Sequence, residues 1–134
     1  KAFVEGDPSR LEYNFRVNTT SFLYVARSFA PKMIDNKKGA IIVTGNTSAE
    51  RGKQKFAFFA PTKASQRILA ESMARYLGPK GVHVAYFVID AAIDTPRTRP
   101  VFFDDKEDDF FCQPKDIVEE IYHVVNQPKS AWSF

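Results

Sequence analysis

The stretch of sequence that decides the fold reads Ala40-Ile41-Ile42-Val43-Thr44. A continuous apolar run rich in β-branched residues is typical of a strand that is buried on both faces of a parallel sheet. A second run of this kind extends from Val82 to Ile89, and the residues from Phe59 to Leu77 between the two runs predict a long helix. The order strand, helix, strand predicts a βαβ unit, and such a crossover should be right-handed.

A further helix is predicted before this unit, from about Ser9 to Ile34. Ser9 and Glu12 would form a capping box at its start, and Pro31 would kink or close its end. Apolar side chains that would form its buried stripe recur at helical spacing, at Leu11, Phe15, Phe22, Val25 and Phe29.

A last helix is predicted from Pro114 to about Asn126. Its predicted buried stripe consists of Ile117, Val118, Ile121, Val124 and Val125. The order α, β, α, β, α predicts an α/β fold with an open, doubly wound parallel sheet, in a single domain that covers residues 1–134.

The composition restricts the kinds of partner. Hydrophobic residues make up 44% of the chain and charged residues 26%, which is typical of a soluble globular domain. The 19 basic and 16 acidic residues leave a net charge of +3, too small and too evenly spread to indicate nucleic acid. No apolar run approaches the length of a membrane span, and the first residues do not read as a signal peptide. We therefore expect neither a nucleic-acid nor a membrane partner.

Cysteine and histidine usage is sparse. Cys112 is the only cysteine, which fits a reducing compartment, and we expect a cytoplasmic protein. His83 falls within a predicted strand and His123 within the last predicted helix, and no metal site is expected. The chain opens on Lys1 rather than Met and closes abruptly on Phe134, and both ends suggest a piece of a longer polypeptide.

One short motif indicates a family. The residues Phe59-Ala60-Pro61-Thr62-Lys63, followed by Ala64-Ser65 and by Leu69-Ala70-Glu71-Ser72-Met73-Ala74, resemble the catalytic helix of the short-chain dehydrogenase/reductases. That family carries Tyr-x-x-x-Lys at this place. The resemblance extends from about Leu11 to Asn126 and implies the second half of a Rossmann-like domain. It implies NAD or NADP as cofactor and a small-molecule carbonyl or alcohol as substrate. The Gly-rich turn that holds the dinucleotide is not found in this chain.

The motif departs from the family pattern at Phe59. A phenol there would donate or accept the proton that accompanies hydride transfer, and Phe has no ionisable group. Lys63, one helical turn further on, is kept, and the resemblance implies that it hydrogen-bonds the nicotinamide ribose. The chain most resembles an atypical subgroup of the family that has Phe at this position and keeps the Lys.

The remaining candidate catalytic residues are two asparagines. Asn18 matches the Asn of the family's catalytic tetrad, which links a water to the active-site Lys through a backbone distortion. Asn46 lies thirteen residues before Phe59, where the family usually has the Ser that hydrogen-bonds the substrate carbonyl. Its amide could donate to that oxygen but could not relay a proton. Gly-Asn-Thr-Ser is also ordinary turn chemistry, and Thr47 or Ser48 could substitute if the loop is shifted.

The segment after the second strand resembles the family's loop around the nicotinamide. Ile93 and Thr95 match it, whereas Asp90 and Ala91 replace its Pro and Gly. Asp90 or Asp94 could serve as a substitute acid or base, because ligands bind at the carboxyl edge of such sheets. Either carboxylate could equally be a cap. The aromatic residues beyond this loop are expected to be lid or core, and a lid would favour an apolar substrate; they are Phe102, Phe103, Phe110 and Phe111.

Three possible functions of different classes follow from these residues. The first is an atypical NAD(P)-dependent oxidoreductase with a non-standard proton donor. The second is a catalytically silent dinucleotide-binding protein that acts as a sensor or subunit, and a third and weaker one is a purely structural partner. The resemblance also implies a homodimer or homotetramer, to which the long helices could contribute Phe22, Phe29, Met73 and Tyr76.

Overall fold

The computed structural model describes residues 3–134, with the backbone alone at residues 101 and 102. Two parallel strands, β1 (Gly39–Gly45) and β2 (Val82–Val88), pair in register from Gly39 opposite Val82 to Gly45 opposite Val88. The helices are α1 (Ser9–Phe15), α2 (Ser21–Asp35), α3 (Ala60–Leu77), α4 (Thr98–Phe102) and α5 (Pro114–Val125). The α/β fold, the parallel sheet and the βαβ unit are confirmed, and each strand boundary lies within one residue of its prediction.

The core lies between β2 and the helices α2 and α3. Alternate residues of β2 point to one face of the sheet, and Val82, Val84 and Tyr86 join Ala70 and Leu77 of α3 in one buried cluster. His83 points to the opposite face, where its ring stacks on Trp132 at 4.8 Å between ring centroids. Helix α3 therefore lies on one face of β2, and the C-terminal segment covers the other.

The expectation that both strands are buried on both faces is correct for β2 alone. Residues Val82 to Tyr86 are all buried, whereas in β1 only Val43 and Gly45 are buried and Thr44 is exposed. Each strand has only one strand neighbour within residues 3–134, so the difference comes from the other elements. Helix α3 packs mainly against β2, and the C-terminal segment covers the opposite face of that strand.

The first predicted helix is interrupted by a π turn at Arg16–Thr20. A π turn adds one residue to the helical path and rotates the following face by about 100°. This explains why two members of the predicted stripe are wrong beyond the turn, where Val25 is 56% and Phe29 is 61% exposed. Phe22 packs against the core as predicted, and the other side chains that α2 turns towards the core are Ala26, Ala30 and Met33.

Three smaller expectations about helices are also wrong in whole or in part, and for Pro31 it is the predicted closing of the helix that does not occur. Ser9 does not cap α1; it is the first helical residue, and the Asp7 carboxylate accepts its backbone N–H at 2.9 Å. Pro31 does not close α2, which continues to Asp35, because losing one backbone hydrogen bond does not end a helix packed on a core. In α5, Val118 is 63% and Val125 is 40% exposed, so the buried stripe is narrower than predicted.

Gly81 ends the connection from α3 to β2 in a conformation that only glycine adopts easily. Its φ is 86°, and a Cβ there would lie 2.6 Å from the backbone oxygen of Lys37. We expect Gly81→Ala to lower the free energy of unfolding by about 1–2 kcal/mol for the left-handed backbone alone, and by more because of the clash. Gly52→Ala is the matched control, because a Cβ at Gly52 meets nothing within 4 Å. Urea unfolding of both variants measures the difference, and equal stabilities would contradict this prediction.

Candidate active site

The site is built around Lys63, which lies in the first turns of α3 beside the carboxyl end of β1. Its side chain is buried, with 7% of the residue exposed. The Nζ atom donates to the Thr44 backbone oxygen at 3.1 Å and to Gln66 Oε1 at 2.6 Å. Both acceptors are uncharged, and burial lowers the pKa of the Lys63 ammonium group.

Gln66 connects this lysine to the π turn. The Nε2 atom of Gln66 donates to the Asn18 backbone oxygen at 2.6 Å, so its amide lies between Asn18 and Lys63. The side chain is 9% exposed. The π turn and α3 are therefore joined through a buried polar chain that ends on an ammonium group. π turns inside helices occur frequently at functional sites.

Thr62, which is fully buried, joins the same two elements a second time. Its Oγ1 atom accepts from Asn18 Nδ2 at 2.9 Å and donates to the Phe59 backbone oxygen at 2.7 Å. Thr19 Oγ1 donates to the backbone oxygen of Thr62 at 3.0 Å. These bonds hold Asn18 in place, and they explain why polar side chains are tolerated inside the structure.

Phe59 lies at the N-terminal end of α3, one turn before Lys63, as predicted. Its backbone oxygen accepts the N–H of Thr62 at 3.0 Å, and its half-buried ring meets Phe56 edge to face at 6.2 Å. An apolar cleft of about 310 Å³ adjoins this end of the helix, between residues 48–53 and Phe56, Ala57, Ala60, Pro61 and Ala64. The structure thus places a hydrophobic ring, without a proton to exchange, one helical turn before the buried Lys63.

Asn46 lies directly after β1, at the sheet edge where a ligand of a parallel sheet would bind. Its Oδ1 atom accepts the backbone N–H of Ser48 at 3.0 Å and caps a short 3-10 turn, Thr47–Ala49. The oxygen is thus used in turn chemistry. The amide N–H groups, which are the atoms that a carbonyl substrate would need, have no protein partner in the part of the chain that the structure describes.

Asp90 is tied to the loop after β1 and is exposed. Its carboxylate accepts from Thr47 Oγ1 at 3.0 Å and lies 3.7 Å from an Arg51 guanidinium nitrogen. The structure gives it no contact with Lys63 or Asn18. Its two side-chain contacts are with residues of the loop after β1.

Asp94 is held by a different set of partners. Arg99 donates to both of its oxygens, at 3.0 and 2.8 Å, and Gln113 Nε2 donates at 3.2 Å. The Arg99 hydrogen bonds, with those of Gln113, lower the pKa of the Asp94 carboxyl. A carboxyl held in its ionised form is a poor proton donor at neutral pH, which argues against Asp94 as the substitute acid.

Ile93 and Thr95 lie on the loop that follows β2, and contacts within the segment from residue 93 to residue 112 hold this loop. Ile93 forms an isolated parallel bridge with Cys112, and Thr95 Oγ1 accepts the backbone N–H of Thr98 at 2.9 Å. The aromatic residues nearby form a cluster in which Phe111 is buried, with Arg99 lying 4.2 Å from its ring centroid. Phe103 and Phe110 belong to this cluster, and the side chain of Phe102 lies outside the described residues.

Sequence reasoning missed Gln66, Thr62, Thr19 and Tyr86. The three-residue spacing from Lys63 to Gln66 places both on one face of a helix and was the available signal for Gln66. Tyr86 is a buried residue of β2 whose hydroxyl donates to the Lys63 backbone oxygen at 3.5 Å, and a Cβ on Gly45 would overlap its ring. Its apolar strand context gave no indication of that contact.

The site can be compared with known proteins. A family model described as short chain dehydrogenase matches residues 1–106. The chain belongs to the short-chain dehydrogenase family. It is 25% identical over 113 residues to an uncharacterized oxidoreductase of Staphylococcus aureus strain MRSA252, an alignment that covers 84% of this chain and 47% of that protein. The chain therefore spans about half the length of the curated relatives it matches.

Solved structures of this family share the fold. A short-chain dehydrogenase from Rhodopseudomonas palustris is 29% identical and superposes with a TM-score of 0.78, covering 100% of this chain and 53% of that one. A metagenomic short-chain oxidoreductase in complex with NADP superposes with a TM-score of 0.76 at 20% identity, covering 98% of this chain and 52% of that one. The Rossmann-like fold class predicted from the sequence is confirmed.

None of the helices within residues 3–134 combines the length and apolar character that crossing a bilayer requires. In the same range, no three His, Cys, Asp or Glu side chains are grouped so as to hold a metal ion.

Proposed function

We propose that this short-chain dehydrogenase family member is an atypical NAD(P)-dependent oxidoreductase that reduces a carbonyl or oxidises an alcohol. The observation that carries the proposal is the buried Lys63, fixed at the carboxyl end of a parallel strand by two uncharged acceptors. An ammonium group has three donors, and two of them are used within the described residues. The third is the group that would hold a nucleotide ribose.

The other residues at this edge fit the same cofactor. On this proposal Ile93 and Thr95 would hold the nicotinamide carboxamide, with Asp90 beside them, and the bound nucleotide would supply or accept the hydride. Asn46 would donate an amide N–H to the substrate oxygen and stabilise negative charge that develops there. The adjoining apolar cleft supports an apolar or aromatic substrate.

The proton must come from a group other than residue 59. A bound water, Asn46 acting through a water, or the exposed Asp90 carboxylate could supply it, whereas Asp94 is disfavoured by its pairing with Arg99. A positioned acid or base contributes roughly 10²–10⁴ in rate, about 3–5 kcal/mol of barrier. Holding two reactants in place can contribute about 7–11 kcal/mol. Loss of the phenol therefore lowers the expected rate of hydride transfer, but a protein that holds cofactor and substrate together could still catalyse the reaction.

Phe59 itself favours a second candidate, a catalytically silent dinucleotide-binding protein that acts as a sensor or subunit. One measurement distinguishes the two candidates, and it uses the full-length polypeptide. On our proposal, that polypeptide also supplies a Gly-rich turn before this half-domain. We expect NADH or NADPH to bind in a fluorescence titration and hydride to pass to at least one member of a carbonyl panel. Binding without transfer would support the silent protein, and the absence of binding would contradict both candidates.

We further propose a cytoplasmic homodimer or homotetramer. Helices α2 and α3 present apolar side chains to solvent, among which Phe29 and Tyr76 are each 61% exposed. Of the four residues expected at an interface, these two support it, whereas Phe22 and Met73 pack against the core. A monomeric mass in solution would contradict this assembly.

A further inference from the structure

The Gln66 side chain occupies a position between two groups of the site. Its Oε1 atom accepts from Lys63 Nζ, and its Nε2 atom donates to the Asn18 backbone oxygen, both at 2.6 Å. An ammonium group can only donate and a carbonyl oxygen can only accept, so these two neighbours determine which way the amide is oriented. Gln66 is buried, and both ends of its amide are used.

We propose that Gln66 is a positioning residue that anchors the Lys63 ammonium group to the Asn18 carbonyl of the π turn. This proposal rests on the proposed function for its consequence: the nucleotide would meet a lysine that is already held in place. With Thr44 and Gln66 satisfying two of the three N–H groups of Lys63, a single N–H is left for a ligand.

The chemistry of an amide explains why this position suits glutamine. A neutral acceptor stabilises the ammonium group without cancelling its charge, so the cation stays available to a ligand. A methionine of similar length would leave Lys63 with Thr44 alone and would leave the partly buried Asn18 backbone oxygen without this donor. A glutamate would keep the acceptor for Lys63 but would add a charge, and its carboxylate could not donate to Asn18.

The surroundings of Lys63 contain few other groups that could titrate with it. From β2, the Tyr86 hydroxyl bonds to the lysine's backbone oxygen, and burial raises the pKa of that phenol. From β1, the Thr44 backbone oxygen accepts from the ammonium group, and the π turn is linked to that group through the uncharged Gln66 amide. Within the described residues no carboxylate bonds to the ammonium group, so a change in its titration reports mainly on residue 66.

The test compares wild type, Gln66→Met and Gln66→Glu in the full-length polypeptide without nucleotide. Lysine labelled at Cε and Nζ is titrated by NMR, and the Lys63 signal is assigned by its loss in Lys63→Met. We expect the Lys63 midpoint to fall in Gln66→Met, because the charged form loses an acceptor, and to rise in Gln66→Glu, because a carboxylate favours the charged form. If Gln66 only filled space, its replacement would change the stability of the protein but would not move the Lys63 titration midpoint in opposite directions in the two variants.

Nucleotide affinity provides the second readout. Hydrogen bonds to charged groups contribute enough that Gln66→Met should weaken NAD(P)H binding by about tenfold or more. Identical Lys63 midpoints in the three proteins would overturn the role of Gln66. If the midpoints move in the stated order but wild type binds no nucleotide, the anchoring of Lys63 stands and the proposed function fails. Should Gln66→Met not fold, the comparison of Gln66→Glu with wild type decides the question.

Discussion

Replacing Lys63 by Met should weaken nucleotide binding by about 10- to 100-fold, because a hydrogen bond from a charged group contributes about 1.5–3 kcal/mol. Methionine has nearly the same length and apolar stem, so the helix packing is preserved. Its effect on stability should be small, because removing a buried, unneutralised charge offsets the loss of two hydrogen bonds. The measurement is the dissociation constant of NADH and NADPH by fluorescence titration.

The matched control for this variant is Lys55→Met. Lys55 lies in the short turn Gln54–Phe56 before α3 and is exposed. Its replacement removes one positive charge from the same region, as Lys63→Met does, but from an exposed position. We expect the control to bind nucleotide as wild type does. Equal binding by Lys63→Met and wild type would show that the buried lysine is not part of the nucleotide site, and the proposed function would lose its main support.

Replacing Phe59 by Tyr should increase the rate of hydride transfer by roughly 10²–10⁴, the usual contribution of a positioned general acid or base. The new hydroxyl would lie one helical turn from the Lys63 ammonium group, and a neighbouring positive charge favours the ionised phenol. Nucleotide affinity should be unchanged, because the ring position is not one of the groups that hold Lys63. The measurement is the turnover number for the best member of the carbonyl panel.

Phe58→Tyr is the control for that substitution, since it adds the same hydroxyl one residue away. Phe58 packs elsewhere, with the Arg10 guanidinium 5.6 Å from its ring centroid, and its backbone oxygen accepts from Asn14. A large gain that appears only in Phe59→Tyr would identify the missing phenol as the limiting group. If both variants bind nucleotide and neither transfers hydride, the frame does not support oxidoreduction, and the silent dinucleotide-binding protein is the better description.

Much of the fold could be predicted because its signals are local. Apolar, β-branched runs form β1 and β2 as predicted, and α3 begins within one residue of the predicted start, because Pro61 is tolerated only in a first turn. The spacing from Phe59 to Lys63 likewise places both on neighbouring turns of one helix. These features depend on residues within a few positions of one another.

The predictions from sequence are wrong where one added residue in a helix, or a partner other than the expected one, changes which side chains are buried or hydrogen-bonded. The π turn at Arg16–Thr20 rotates the face of α2, so Val25 and Phe29 reach solvent instead of the core. Hydrophobic spacing counted along a regular helix could not reveal this rotation. The hydrogen bond from the Ser9 N–H to Asp7 could not be predicted for a simpler reason, since Ser and Asp are both good N-cap residues and stand two positions apart.

The amino-acid sequence by itself determined the two strands, the helix that joins them, the family, and the pairing of Phe59 with Lys63 on one helix. Only the tertiary structure decided which polar atoms meet. Asn18 bonds to Thr62 across 44 residues of sequence, and Gln66 bonds to the Asn18 oxygen across 48. The physical reason is that a buried hydrogen bond depends on the packing of two whole elements, α3 and the π turn, and no local pattern encodes that contact.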